Sequence, residues 1–129
     1  MKGTVKFFDS QRGWGFITDS EGKDVFAHHS NIIMDHFRTL HEDDIVTFEL
    51  GAGNDEREQA VNIIPVLTMK MIEKSLEKDN LYIRPVTNAL GVKGYMVVDQ
   101  NNIIQTSEQG VSFLELAAYA GFDTEDLSA

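Results

Sequence analysis

The sequence of 129 residues has no cysteine, two prolines and a single tryptophan. Without cysteine it can form neither a disulfide nor a thiolate metal site, which is the usage of a reducing compartment, and a cytoplasmic location is expected. No apolar run approaches the ~20 residues that a membrane-spanning helix needs. The N-terminus also lacks the apolar core of a secretory signal, so no membrane partner is expected. Positive charge is scarce as well: eleven Lys and Arg against twenty-one Asp and Glu give a net charge of −10. The deficit runs through both halves, with six basic and twelve acidic residues in 1–66 and five and nine in 67–129. A protein that grips nucleic acid mainly by neutralising phosphates is basic, so a polybasic mode is excluded.

Other chemistries are missing too. Gly13-Trp14-Gly15 and Gly51-Ala52-Gly53 open no helix and are followed by no Lys-Ser/Thr, so they are not phosphate loops. The histidines His28, His29, His36 and His41, with Asp35, Glu42, Asp43 and Asp44, match no closed metal spacing. No nucleophile–base order or carboxylate pair stands out, so no enzyme activity and no cofactor are expected. With 42% hydrophobic and 25% charged residues the composition is that of a soluble globular protein.

What is present is an unusual concentration of rings near the N-terminus, in Lys6-Phe7-Phe8-Asp9-Ser10-Gln11-Arg12-Gly13-Trp14-Gly15-Phe16-Ile17 and Val25-Phe26-Ala27-His28-His29. Side chains alternate along a strand. Trp14 and Phe16 therefore share one face, as do Phe26 and His28, while Ile17, Val25 and Ala27 take the other. The aliphatic face is a core. The ring face also carries Arg12 and Lys6, and nothing else in residues 1–66 is placed to cover it. Flat faces interleaved with cations suit single-stranded nucleic acid, because every base has a π face.

Turn signals divide the first half into five strands, 2–9, 14–19, 25–28, 45–50 and 59–66. A single helical turn is expected at Ser30–Ile33, capped by Ser30. Five short strands with no helix long enough to cover a sheet predict a small closed antiparallel barrel of the oligonucleotide-binding type.

Residues 1–66 resemble the cold-shock domain. Its first RNA-binding motif is matched by Arg12-Gly13-Trp14-Gly15-Phe16-Ile17 and its second by Val25-Phe26-Ala27-His28-His29, with Gly3-Thr4-Val5-Lys6-Phe7-Phe8 and Phe37-Arg38-Thr39-Leu40 in register. The resemblance implies that Lys6, Phe7, Arg12, Trp14, Phe16, Phe26, His28 and Phe37 lie on a face that binds single-stranded RNA or DNA, with Asp24 and Asn62 as weaker hydrogen-bonding positions. Phe7 stands where the family usually has Trp, and Trp14 where it usually has Phe. Asp9 replaces the usual Asn and sets a negative charge near the phosphates. His29 replaces a usual Phe; an imidazole still stacks, and it is a ring type that can also take up a proton.

Residues 67–129 resemble no recognised family. A helix is expected at 69–78, a strand at 81–87 that Pro85 confines to an edge, and a hairpin around Gln100-Asn101-Asn102. A last helix opens on a Ser112/Glu115 capping box and ends at Gly121. Glu115 is its one charged residue, so burial on nearly all sides is expected. The organisation read from sequence is mainly β: a barrel at 1–66, a helical linker at 67–80 and a small α+β domain at 81–129. That domain is expected to make a homodimer, since so few residues seldom bury such a helix alone. The function expected is single-stranded nucleic-acid binding with an RNA-chaperone or cold-stress role. A regulatory adaptor whose C-terminal unit recruits a protein, or a chain that inhibits replication on single-stranded DNA, is the alternative.

Overall fold

The aliphatic face read from alternation closes into the core of a barrel. The computed structural model describes residues 1–34, 38–52 and 58–125 and divides the chain into two compact units, Met1–Met69 and Lys70–Ala129. In the first, β1 (Lys2–Asp9), β2 (Trp14–Asp19), β3 (Asp24–His28), β4 (Ile45–Ala52) and β5 (Glu58–Leu67) close in the order β1-β2-β3-β5-β4. Val5, Ile17, Val25, Ala27, Val46, Phe48, Ala60 and Ile63 fill the interior, with Ile32 and Leu40 added from the connections.

The barrel is mixed rather than wholly antiparallel, because β3 and β5 pair in parallel while the other four ladders are antiparallel. Parity requires this. Direction must reverse across every antiparallel pair, and a closed ring with an odd number of strands cannot reverse consistently all the way round.

Two bulges shape the sheet. Val5 pairs with Ile17 and Phe7 with Phe16, so β1 carries one extra residue, Lys6, between them. Strict alternation from Val5 would turn Phe7 inward. The extra residue turns Phe7 out beside Phe16 and lets Phe8 pack partly against the core. In β5, Thr47↔Ile64 followed by Glu49↔Val61 leaves an extra residue on the Asn62 side, and Asn62 itself has φ +50°, a conformation asparagine tolerates.

After β3 a 3-10 turn spans His29–Asn31. Its cap is His28, whose Nδ1 accepts the Ser30 N–H at 3.3 Å, rather than Ser30 as expected. The ring reaches this N–H because it stands at the end of β3, one residue before the turn. Asp44 is buried where β4 begins, and its carboxylate accepts the N–H groups of His41 (2.9 Å) and Met69 (2.8 Å).

In the second unit, α1 (Met69–Glu77) buries Ile72 and Leu76, and Ser75 Oγ donates to the Ala120 carbonyl at 3.0 Å. The strand β6 (Leu81–Thr87) pairs antiparallel with β7 (Lys93–Asp99) across a turn at Asn88, whose Oδ1 accepts the N–H groups of Leu90 and Val92. The hairpin expected at 100–102 forms only a bridge, Val98↔Ile104. There the Thr106 hydroxyl replaces a backbone carbonyl as acceptor for the Val97 N–H, and the returning segment leaves the ladder.

The last helix, α2 (Phe113–Tyr119), has the expected capping box, and Gly121 follows at φ +97°. Its burial is one-sided: Phe113, Leu116 and Ala117 are inside, whereas Ala118 and Tyr119 are exposed. The buried positions are the i, i+3, i+4 stripe of a helix lying on a surface, which leaves the far side uncovered. No helix among the described residues is long and apolar enough to cross a membrane.

Candidate nucleic-acid interface

Cross-strand neighbours on one sheet face lie within side-chain contact, and the β1–β2–β3 register uses this to gather the rings. Phe7 pairs with Phe16, Phe16 with Phe26 and Trp14 with His28. The result is a continuous aromatic surface. Phe7 lies 5.8 Å from Trp14 and 5.7 Å from Phe16, centroid to centroid. Trp14 stacks on Phe26 at 6.1 Å with 29° between the planes, and Phe16 meets both Trp14 (6.2 Å) and Phe26 (5.9 Å) edge-on. Phe7 is 41% exposed and the other three are half-buried against one another.

Two glycines make the surface possible. A Cβ at Gly15 would run into the Phe7 carbonyl, so only glycine lets β2 lie this close to β1 between Trp14 and Phe16. Gly13 has φ +79°, and a Cβ there would meet the His29 ring at 2.5 Å. Its carbonyl accepts the His29 N–H at 2.8 Å, which ties the end of β3 to the β1–β2 turn.

The expected cations are present, but they are engaged. Lys6 Nζ lies 2.7 Å from Asp24 Oδ2, and Arg12 Nε lies 3.8 Å from Asp9 Oδ2. Thr18 Oγ1 also donates to Asp24, and with Lys6 it holds the Asp24 carboxyl below the usual aspartate value, the Lys6 bond being the larger cause. Asp9 shapes the turn: its Oδ1 accepts the N–H groups of Gln11 and Arg12, both at 3.0 Å. The negative charge expected to face phosphates is thus partly occupied within the turn.

His28 and His29 lie at the border of the ring surface, 4.4 Å apart. His28 Nδ1 contacts Ser30 Oγ at 2.8 Å. Arg38, which sequence reasoning passed over, comes to the same border and reaches the Ser30 carbonyl at 3.5 Å. Its signal was its place directly after Phe37. Phe37 itself lies outside the described residues. Asn62 is engaged at the β5 bulge, where Nδ2 donates to Glu49 Oε2 at 3.4 Å. Among the described residues no three His, Cys, Asp or Glu side chains converge as metal ligands.

The arrangement offers apolar ring surface, bordered by donors and by two engaged cations. Ring faces so exposed can stack on unpaired bases. Comparison with known proteins points the same way. The family model described as the 'Cold-shock' DNA-binding domain matches residues 1–66. A cold shock-like protein of Thermotoga maritima is 55% identical over 53 residues, covering 41% of this chain and 80% of that protein. Cold shock protein 1 of Lactiplantibacillus plantarum is 48% identical over 63 residues, covering 49% of this chain and 94% of its own length. The major cold shock protein of Streptococcus pyogenes is 47% identical over 62 residues, covering 48% and 91%. The barrel, its ring face and both motif segments all fall inside the matched region, and by that match this chain belongs to the cold-shock DNA-binding domain family.

Proposed function

We propose that the chain binds single-stranded nucleic acid, chiefly RNA, by stacking bases on Phe7, Trp14, Phe16 and Phe26, and that it acts as an RNA chaperone in a cold or stress response. The observation that carries this reading is the outward aromatic surface on three neighbouring strands, with every ring within 6.2 Å of another. The family description and the names of the relatives, cold shock proteins of several bacteria, support it. Lys6, Arg12, His28, His29 and Phe37 would flank the bases. Each stacked base contributes about 1–3 kcal/mol, so several together compete with the pairing of a short hairpin. Melting then follows from mass action on unpaired strands, with no turnover of the nucleic acid.

Trp14 is the single tryptophan and sits in the surface, so it reports binding directly. Titration with oligo-dT or oligo-U is expected to quench its fluorescence, and duplex is not. No quenching by either single strand would overturn the reading. RNA incubated with the protein and Mg²⁺ is expected to stay intact, which separates binding from nuclease activity.

We further infer a homodimer formed through residues 67–129. Exposed Val92, Ile103 and Tyr119, with Leu90 88% exposed, support it. Light scattering on the full chain is expected to give twice the monomer mass. A monomeric mass would refute the dimer and favour the adaptor reading, in which a different protein covers these residues.

A further inference from the structure

Beside the aromatic surface the barrel has an open pocket of about 300 Å³, lined by Ser10, Gln11, Arg12, Gly13, His29 and Arg38. None of the four clustered rings lines it. Four backbone donors of its walls are already committed. Gln11 and Arg12 donate to Asp9 Oδ1, Gly13 to the Asp9 carbonyl and His29 to the Gly13 carbonyl.

The side chains of the lining residues supply two guanidiniums, an imidazole, a hydroxyl and an amide. Arg12 is held by Asp9 only through Nε at 3.8 Å, which leaves its terminal nitrogens open. Arg38 makes no ion pair among the described residues, and its one hydrogen bond, to the Ser30 carbonyl, is long. On a chain of net charge −10, two arginines converge here, and among the described residues Asp9 is the one carboxylate that pairs with either of them. An imidazole at position 29, where the family usually has a phenylalanine, exchanges a purely apolar ring for one that can donate a hydrogen bond.

We propose that this pocket takes a phosphate group of a bound strand, so that the ring surface holds bases while the pocket fixes the backbone beside them. The proposal rests on the stacking function above. Planar guanidiniums match phosphate oxygens bidentately, and an anion so held is bound by charge-assisted hydrogen bonds. Two sources share this chemistry: a terminal monoester, which carries about −1.5 to −2 charges at neutral pH, and an internal diester, which carries one.

Two measurements on the full chain test it. In an amide and guanidinium NMR titration with inorganic phosphate, the signals of Gly13, His29 and Arg38 are expected to move, and Arg38→Gln is expected to abolish the shifts. In Trp14 fluorescence titrations, oligo-dT with a 5′- or 3′-phosphate is compared with oligo-dT bearing neither. A monoester ligand gives binding tighter by about tenfold, or 1.4 kcal/mol, and the gain is lost in Arg38→Gln. A diester ligand gives no terminal effect, but one methylphosphonate linkage then weakens binding in the wild type and not in Arg38→Gln. Quenching that is identical for all of these strands in both proteins, with no phosphate shifts, refutes the pocket and leaves stacking standing. No quenching by any strand refutes stacking, and the strand as the source of the phosphate with it.

Discussion

Replacing Asp24 by Asn should make nucleic-acid binding more sensitive to salt, and the size of the effect follows from the ion pairs around the ring surface. Lys6 is held at 2.7 Å by Asp24 and Arg12 at 3.8 Å by Asp9. A cation that leaves an internal carboxylate for a phosphate releases few counterions, because it had few. The wild type therefore gains counterion release mainly from Arg38 and partly from Arg12. At a slope of about −0.7 per phosphate contact for single strands, log K against log salt should fall at between about −0.7 and −1.4. The amide of Asp24→Asn keeps the shape and an acceptor for Thr18 but removes the charge that holds Lys6. One more cation then releases one more set of counterions, and the slope steepens by about 0.7. Over a fourfold rise in salt, the variant should lose about 2.6-fold more affinity than the wild type. Because Asp24 is exposed, the melting temperature should hardly change, which separates the charge effect from unfolding. The Asp24 pKa is depressed in the fold, so the pair is intact above the ordinary aspartate value and is lost only as pH falls through the lower folded one. Measurements near pH 7 thus begin from a closed pair. An unchanged or shallower slope in Asp24→Asn, read by Trp14 quenching across the salt series, would refute the reasoning.

Three further outcomes follow from the same geometry. Phe26→Ala should weaken single-strand binding by about 1–3 kcal/mol, roughly 5- to 150-fold, while Lys6→Ala changes it by less than about 1 kcal/mol; Trp14 titrations of the two variants make the comparison. Asp44→Ala should destabilise the chain by about 1–3 kcal/mol, by orphaning the His41 and Met69 N–H groups. Burial pushes the Asp44 carboxyl up although both N–H groups favour its charged form. Relative to Asp44→Asn, the wild type should accordingly be most stable below the ordinary aspartate pKa and lose that advantage as pH rises through the folded value, as measured by denaturant unfolding.

Much of the barrel was legible because its signals are local. Gly13 and the Asp9-led turn mark where β1 reverses, and alternation alone assigns Ile17, Val25 and Ala27 to the core. Phe7 was not legible in this way. Counting by twos from Val5 puts it inside, and only the bulge at Lys6, a property of two strands together, turns it outward. Family resemblance placed it on the ring face where periodicity could not. The cap by His28 was missed because imidazole rarely serves in that role, so Ser30 drew the assignment. In the second unit the β6–β7 turn was obscured by apolar Leu90 and Val92, although Asn88 followed by Gly91 at φ +81° was the signal. The ion pairs that quiet Lys6 and Arg12 join residues whose proximity exists only after folding, or whose geometry depends on the turn, and no spacing rule announces them.

Pro85 has a consequence for how copies of this chain can meet. Tyr95 directs its N–H and C=O to Val111, and Val97 directs its own to Thr106 and Gln105, so β7 faces β6 through residues 94, 96 and 98. Their partners are residues 86, 84 and 82, and Pro85 therefore turns its nitrogen toward the side of β6 that pairs with no strand among the described residues. That edge offers carbonyls but lacks a donor at its middle, and a strand laid along it would leave a carbonyl unanswered there. Association by sheet extension, the route that leads from dimers to fibres, is interrupted at one residue. Along this edge, copies that avoid the gap at Pro85 are held by side-chain contact instead of a continuous ladder of backbone hydrogen bonds.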